Sequence, residues 1–349
     1  MNRRSFVRHT VHALLGAVGL LTLGGLVAAP ASADPQFTLK IASVAPEGTP
    51  WASGVTEFKK QIEASSGGRV VVRPFLGGVL GDENETVQLC QRGQIQGVGA
   101  STGAIASIVP ELNVLELPFL FKSAEEADYV LDKSILTYVE KAFRDRGLVL
   151  GFWSENGYRS FGTRYGSIHS PADLKGHKLR SQESPVHLEM YKQFGASPVP
   201  IPTTEVLTSL QTGVIDGYDN TVLFATAAQW TSATKFYSLT NHIYQPAAIV
   251  FNKAFFDGMP ADLQAQMLAP RAALMQKMRN EIRAMQPFLL ENLKAMRITV
   301  YTPTAAERAT FEAPAKLARD AYMARASAGE KALYAQIQTG IAAYRKAHP

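Results

Sequence analysis

Among the residues of this 349-residue chain that are able to do chemistry, Arg180 has the most telling setting. It stands near the end of a short strand expected over His177–Ser181, and two strand–helix units follow it as far as Asn220. A guanidinium presents a planar fork of donors that pairs with carboxylate oxygens two at a time. An arginine at a strand end, beside a helix start, is therefore a receiver for an organic acid. A second chemistry is suggested by Gly99-Ala100-Ser101-Thr102-Gly103, which fits the G-x-S-x-G pattern of serine hydrolases, with Asp216 and His242 following in the hydrolase order. Its context argues against it, because a nucleophile elbow needs a helix directly after the serine and Pro110 interrupts the short Ala/Ile run that follows. Metal chemistry has less support still. His169, His177, His187, His242 and His348 lack H-x-x-x-H or H-E-x-x-H spacing, and the single cysteine, Cys90, has no partner for a metal pair or an internal disulfide. Neither a metal nor a cofactor is expected, and the chain reads as a binder rather than an enzyme.

The first 33 residues read as an export signal. A charged start, Asn2-Arg3-Arg4-Ser5-Phe6-Val7-Arg8, precedes the apolar run His12–Ala29, and Ala31-Ser32-Ala33 has the small–x–small form of a cleavage site. The paired arginines leave both an ordinary secretory signal and a twin-arginine signal open. With no cysteine after the apolar run, a lipoprotein anchor is excluded. Cleavage after Ala33 leaves 316 residues, enough for two lobes, and lowers the formal net charge from +5 to +2 because three arginines depart. No Lys/Arg block stands out in what remains, so no nucleic-acid partner is expected. Cys90 falls on the apolar side of a helix with Val87 and Leu89 and reads as a core residue.

The elements that must position Arg180 alternate. Strands are expected at Phe37–Val44, Arg69–Leu76, Ile95–Ala100, Leu115–Phe119, Gly147–Trp153, His177–Ser181 and Val214–Tyr218. Helices are expected at Thr49–Ser65, from an Asp82 cap to Arg92, over Ser123–Phe143, from Ser184-Pro185 to Gly195, and over Thr203–Gln211. From Pro260 to about Met296 the pattern is helical, one long helix or two broken near Pro287, and Thr304–His348 is helical as well. This order predicts an α/β fold with a largely parallel sheet and helices on both faces.

Several segments resemble the DctP-type solute-binding proteins of TRAP transporters. They are Gly78-Val79-Leu80-Gly81-Asp82-Glu83, Leu117-Pro118-Phe119-Leu120-Phe121-Lys122, Asp173-Leu174-Lys175-Gly176-His177-Lys178-Leu179-Arg180, Gly195-Ala196-Ser197-Pro198, Leu210-Gln211-Thr212-Gly213-Val214-Ile215-Asp216-Gly217 and Leu239-Thr240-Asn241-His242. They occur in the order and spacing of that family, and the likeness spans residues 37–345. The resemblance implies a two-lobe periplasmic-binding-protein fold, with a ligand cleft between the lobes and a long helix spanning both. One lobe is expected over 34–156 plus about 246–285, the other over 157–245 plus about 286–349.

By the same resemblance Arg180 holds the ligand carboxylate, Arg159 of Asn-Gly-Tyr-Arg assists it, and Asn220 of Asp-Gly-Tyr-Asp-Asn lies nearby. Glu155 is a potential salt-bridge partner for Arg159. Trp51, Tyr158 and Tyr218 are candidates to line the cleft, and Thr203 and Ser101 are lesser candidates for ligand contact. Sialic-acid-binding members carry an aromatic where Thr203 stands and an acid near Ser101, so their ligand contacts do not carry over. The implied function is a periplasmic receptor that delivers a small carboxylate to the membrane subunits of a TRAP permease, as a monomer. A ligand-presenting partner of a membrane sensor is the alternative that the sequence leaves open.

Overall fold

The computed structural model describes residues 35–349, and the export signal read over 1–33 lies outside them. Among the described residues nine strands form one sheet: β1 Phe37–Ser43, β2 Val70–Phe75, β3 Gly97–Ser101, β4 Leu148–Thr163, β5 Lys178–Ser181, β6 Ser197–Pro200, β7 Gly217–Asn220, β8 Phe236–Asn252 and β9 Thr299–Tyr301. Their order is β2-β1-β3-β8-β4-β7-β5-β6, with β9 alongside β8. The two wings are parallel, β2-β1-β3 on one side and β7-β5-β6 on the other. The centre is not. β4 and β8 run antiparallel over their whole length, from Leu148 opposite Asn252 to Thr163 opposite Phe236, and each meets its wing antiparallel.

The largely parallel sheet expected from the alternation of elements is thus a mixed one. Local alternation reports helix-linked neighbours, whereas β4 and β8 are joined by 72 residues of other structure. Nor did β8 read as a strand, because Thr240, Asn241, His242, Gln245 and Pro246 interrupt its apolar run. Each of these two strands spans about 50 Å at ~3.3 Å per residue, enough to cross both wings. Register shifts at Leu150/Phe152, Glu155/Gly157 and Arg159/Phe161 bend the ribbon where the wings meet.

Side chains alternate across this ribbon and bury four apolar clusters, two on each wing. On the β1–β3 wing, Val98, Leu150, Ala248 and Val250 face one cluster, and Leu39, Ile41, Phe152, Ile249 and Phe251 face the other. On the β5–β7 wing, Phe161, Leu179 and Ile243 lie in one, and Ile215, Tyr218 and Tyr237 in the other. The helix Arg271–Ala295, about 38 Å long at 1.5 Å per residue, buries Leu274, Met278 and Ile282 in the first wing and Leu293 in the second. One rigid element therefore braces both halves. Pro287 does not break it: the interruption falls earlier, at Ala269-Pro270, after Ala261–Leu268. Pro287 is exposed, and the helix runs through it to Ala295.

Other expectations changed in detail. Leu115–Phe119 is not a strand, since Pro110–Glu116 winds as a 3-10 helix ahead of Pro118. The helix expected over Ser123–Phe143 is split by a π-helical turn at Val130–Ser134. The strand expected at Val214–Tyr218 begins at Gly217 and ends at Asn220. The terminal helix Ala328–Ala347 returns to the first wing, where it buries Leu333, Ile337 and Ile341.

Cys90 is buried in that same cluster, and burial pushes its thiol well above the ordinary range. A thiol reagent is expected to leave the native protein unmodified and to react with one equivalent after denaturation. Stoichiometric reaction of the folded protein would contradict this placement.

Candidate functional site

The C-terminal ends of β5 and β7, the bent middle of β4 and β8, and the first turn of the helix Glu83–Gln91 converge between the wings. They enclose a cavity lined by Val44, Glu83, Asn156, Arg159, Arg180, Gln182, Thr203, Asn220, Phe224 and Gln245. Two further spaces continue from it past Trp51, Ala45, Leu223 and Phe224. The cavity measures about 20 Å³, room for about one water. Contacts that bridge the two wings beside it are Thr203 N donating to Asp82 Oδ1 (2.7 Å), Asn84 Nδ2 to Glu183 Oε2 (2.9 Å) and Gln182 Nε2 to Ser101 Oγ (2.9 Å). Asp82 starts its helix as expected, but its side chain makes this bridge instead of capping.

The two arginines differ in kind. Arg159, on β4, is buried and matched: its Nε donates to Asp219 Oδ2 (2.6 Å), its Nη2 to the Asp219 carbonyl (2.6 Å) and its Nη1 to Gln245 Oε1 (2.9 Å). Burial by itself would raise the Asp219 carboxyl. The Arg159 charge, with hydrogen bonds from His242 and Arg159, outweighs this and holds it well below its usual range. The Tyr191 hydroxyl donates to Asp219 Oδ1 (2.7 Å), and His242, kept neutral by burial, turns Nε2 to Oδ2 (3.3 Å). The partner of Arg159 is thus Asp219, not Glu155, which pairs with Arg283 and accepts from the Tyr244 hydroxyl.

Arg180, on β5, is 2 % exposed and has no carboxylate within salt-bridge distance among the described residues. Its Nε donates to the Ile201 carbonyl (2.9 Å), its Nη2 reaches Thr203 Oγ1 (3.4 Å), and the guanidinium lies 5.4 Å from the Trp230 ring centroid. Burial, followed by the nearby Arg159 charge, depresses its pKa. A buried cation is costly unless something compensates it. Here the remaining edge of the fork opens onto the cavity.

Of the other sequence candidates, Asn220 lines the cavity at the end of β7, and its Oδ1 accepts from Arg159 Nη1 (3.4 Å). Thr203 lines it beside Arg180. Trp51 walls the continuing space and is pinned by its indole N–H to the Glu155 carbonyl (3.1 Å). Ser101 sits one layer back, its hydroxyl donating to Glu83 Oε2 (2.8 Å). Tyr158 lines a separate groove beside Arg283. Tyr218 does not reach the cleft: it is fully buried with its ring 5.1 Å from that of Trp230, and a Cβ at Gly162 would stand 2.3 Å from it. Two residues short of the strand end, it lies under the helix layer rather than at the opening. Ser101, Asp216 and His242 form no triad, since His242 contacts Asp219 and Thr240, and Asp216 accepts from Lys178 N (3.0 Å).

Sequence reasoning missed Glu83, Asn156, Gln182, Asp219, Phe224 and Gln245. Glu83, Asn156 and Asp219 stand inside the segments quoted above and could have been found by asking what their carboxylates and amide face. Gln182, Phe224 and Gln245 carry no local signal.

A cleft of this kind, between two sheet-built halves joined by crossing strands and one bracing helix, defines a two-lobe solute receptor. The chain belongs to the bacterial extracellular solute-binding protein family 7, whose model matches residues 41–325, and so to the solute-binding proteins of TRAP transporters. It is 36% identical to a solute-binding protein of Verminephrobacter eiseniae, over 69% of this chain and 72% of that one. It is 30% identical to the 2,3-diketo-L-gulonate-binding periplasmic protein YiaO of Escherichia coli, over 70% of this chain and 75% of the relative. A TRAP periplasmic solute binding protein from a Bordetella species, with density assigned as pantoate, superposes with a TM-score of 0.80 at 32% identity, covering 87% of this chain and 98% of that one.

Proposed function

We propose that this protein is exported, with residues 1–33 removed as its signal, and captures a small organic acid in the periplasm for a TRAP permease. The ligand carboxylate pairs with Arg180, assisted by Arg159 Nη1 and Asn220. One observation carries this reading: a nearly inaccessible guanidinium without an acid of its own at the cavity wall. A carboxylate there compensates the buried charge in a site that excludes water, where a charged fork is worth several times its exposed value. The similarity to proteins described with 2,3-diketo-L-gulonate and pantoate supports an organic acid as the ligand class.

In this reading the lobes comprise 34–156 with about 246–285, and 157–245 with about 286–349, the last helix crossing back onto the first lobe. The hinge lies at the Glu155/Gly157 register shift. Closure is favoured because the ligand touches both lobes, and the closed form is what the permease engages.

The test is a thermal-shift screen of residues 34–349 against organic acids, neutral sugars and amino acids. A carboxylate is expected to raise the melting temperature by binding the folded state. Response to a neutral sugar alone, or to nothing in a broad acid panel, would overturn the reading.

A further inference from the structure

The first wing holds a second cavity, of about 240 Å³, which shares no lining residue with the cleft. It lies where the edge of β4 meets the bracing helix Arg271–Ala295 and the π-helical turn Val130–Ser134. Its origin is topological. β7 pairs with β4 only over Ser160–Thr163, so in the first wing β4 has a neighbouring strand on one edge alone, β8. The register shift at Leu150/Phe152 places Leu150 and Trp153 in one apolar cluster and Phe152 in the other, and all three line the cavity. The π-helical turn adds Asp132 and Lys133 to its wall. Such turns are rare and gather at functional sites.

This wall is apolar where it is deep and charged where it is shallow. Leu150, Phe152 and Trp153 are buried, with Leu136 and Met275 half-buried beside them. Two of the charged groups already have partners. Asp132 accepts from Nη1 and Nη2 of Arg279 (2.7 and 3.1 Å), and Arg271 Nη2 donates to Glu140 Oε1 (2.9 Å). Lys133 is exposed, and an exposed ammonium adds little to affinity.

The deep part has one unmet demand. Trp153 is 2 % exposed, and its indole N–H has no acceptor among the described residues. A buried tryptophan usually finds a partner for this group, and a buried donor without one is costly. The acceptor therefore weighs more in choosing an occupant than the charge of Lys133 does. Size sets the rest, since an apolar cavity of about 150 Å³ is enough to admit benzene. A ring with a short oxygen-bearing substituent suits the larger space here. We propose that this cavity is a second binding site, for a small uncharged aromatic molecule whose single oxygen accepts the Trp153 indole N–H. Its occupant joins β4 to the helix that reaches both wings, so binding stabilises the protein without entering the cleft.

The test is calorimetric titration of residues 34–349 with acetophenone, with ethylbenzene as its oxygen-free counterpart and with 1-phenylethylammonium as a cation of similar shape. Acetophenone is expected to bind with a Kd below about 1 mM, at least about threefold tighter than either of the others. It should also raise the melting temperature with no acid present. In Trp153→Phe the preference over ethylbenzene shrinks to within about twofold. Ala272→Met fills the cavity from its exposed side and weakens acetophenone about tenfold, while Arg180→Ala leaves acetophenone binding unchanged. Absence of acetophenone binding up to its solubility limit overturns the proposal. So does ethylbenzene or the ammonium binding as tightly, or acetophenone binding that Arg180→Ala abolishes and Ala272→Met leaves intact. The Ala272→Met result decides the matter even where Trp153→Phe does not fold. The organic-acid reading stands or falls separately, on the acid panel above.

Discussion

Arg180→Ala is expected to abolish measurable ligand binding without lowering the melting temperature of the ligand-free protein. Removing one member of a buried, hydrogen-bonded charge pair costs about 2–5 kcal/mol, roughly 30-fold to several-thousand-fold in Kd. A micromolar ligand, bound with about 8 kcal/mol, then falls into the millimolar range or beyond. The stability side follows from the absence of an acidic partner. Arg180 is buried without a carboxylate, and desolvation is the main influence on it. Its removal relieves that cost and forfeits one hydrogen bond to Ile201 and a stacking contact with Trp230, each on the order of 1 kcal/mol. Titration and melting on the same sample separate the two effects. Unchanged affinity would remove Arg180 from the site, and a melting temperature lowered by more than about 10 °C would make it a structural residue.

Asp219→Ala should show the opposite balance. Asp219 is the acid that matches Arg159, and it also takes hydrogen bonds from Tyr191 and His242. Deleting it leaves a buried guanidinium uncompensated, at a cost of about 3–5 kcal/mol. In a chain of this size that is a fall in melting temperature on the order of 10 °C. The pH dependence carries a definite sign. A carboxylate whose folded pKa lies below its unfolded value contributes stability that is fully present above about pH 4 and lost as pH falls through the folded value. The gap in stability between wild type and Asp219→Asn is therefore expected to shrink as the medium is acidified below about pH 4. A variant that melts with the wild type at neutral pH would show that Arg159 does not depend on Asp219. Together the two substitutions distinguish a charge kept for the ligand from a charge kept for the fold.

What the sequence made legible depended on how local each signal is. The helices expected over Thr49–Ser65 and from Ser184-Pro185 to Gly195 lie at Pro50–Ser65 and Pro185–Gln193, within about two residues at each end. Caps and glycines act within one turn, so they can be read within one turn. Arg180 and Asn220 were legible for a related reason: they sit at strand ends, where side chains leave the sheet, inside segments shared with a family. Tyr218 shows the limit. Its type suited a binding wall as well as Asn220 did, but it lies two residues deeper, and depth beneath a helix layer is not encoded in spacing.

The chain by itself determined the α/β class, the family and the presence of Arg180 at a strand end, where it lines the cavity. Each of these is a property of short segments and of their order. Only the tertiary structure decided the antiparallel crossing of β4 and β8, the pairing of Arg159 with Asp219 rather than with the nearer Glu155, and the arrival of Glu83 in the cavity that Arg180 lines. Asp219 is sixty residues from Arg159, and Glu83 is ninety-seven from Arg180. Which acid neutralises which arginine, and which charge is left over for a ligand, depends on burial and on distances of a few ångströms. Those are set by packing the two wings against the bent central ribbon, and no local pattern in the chain reports them.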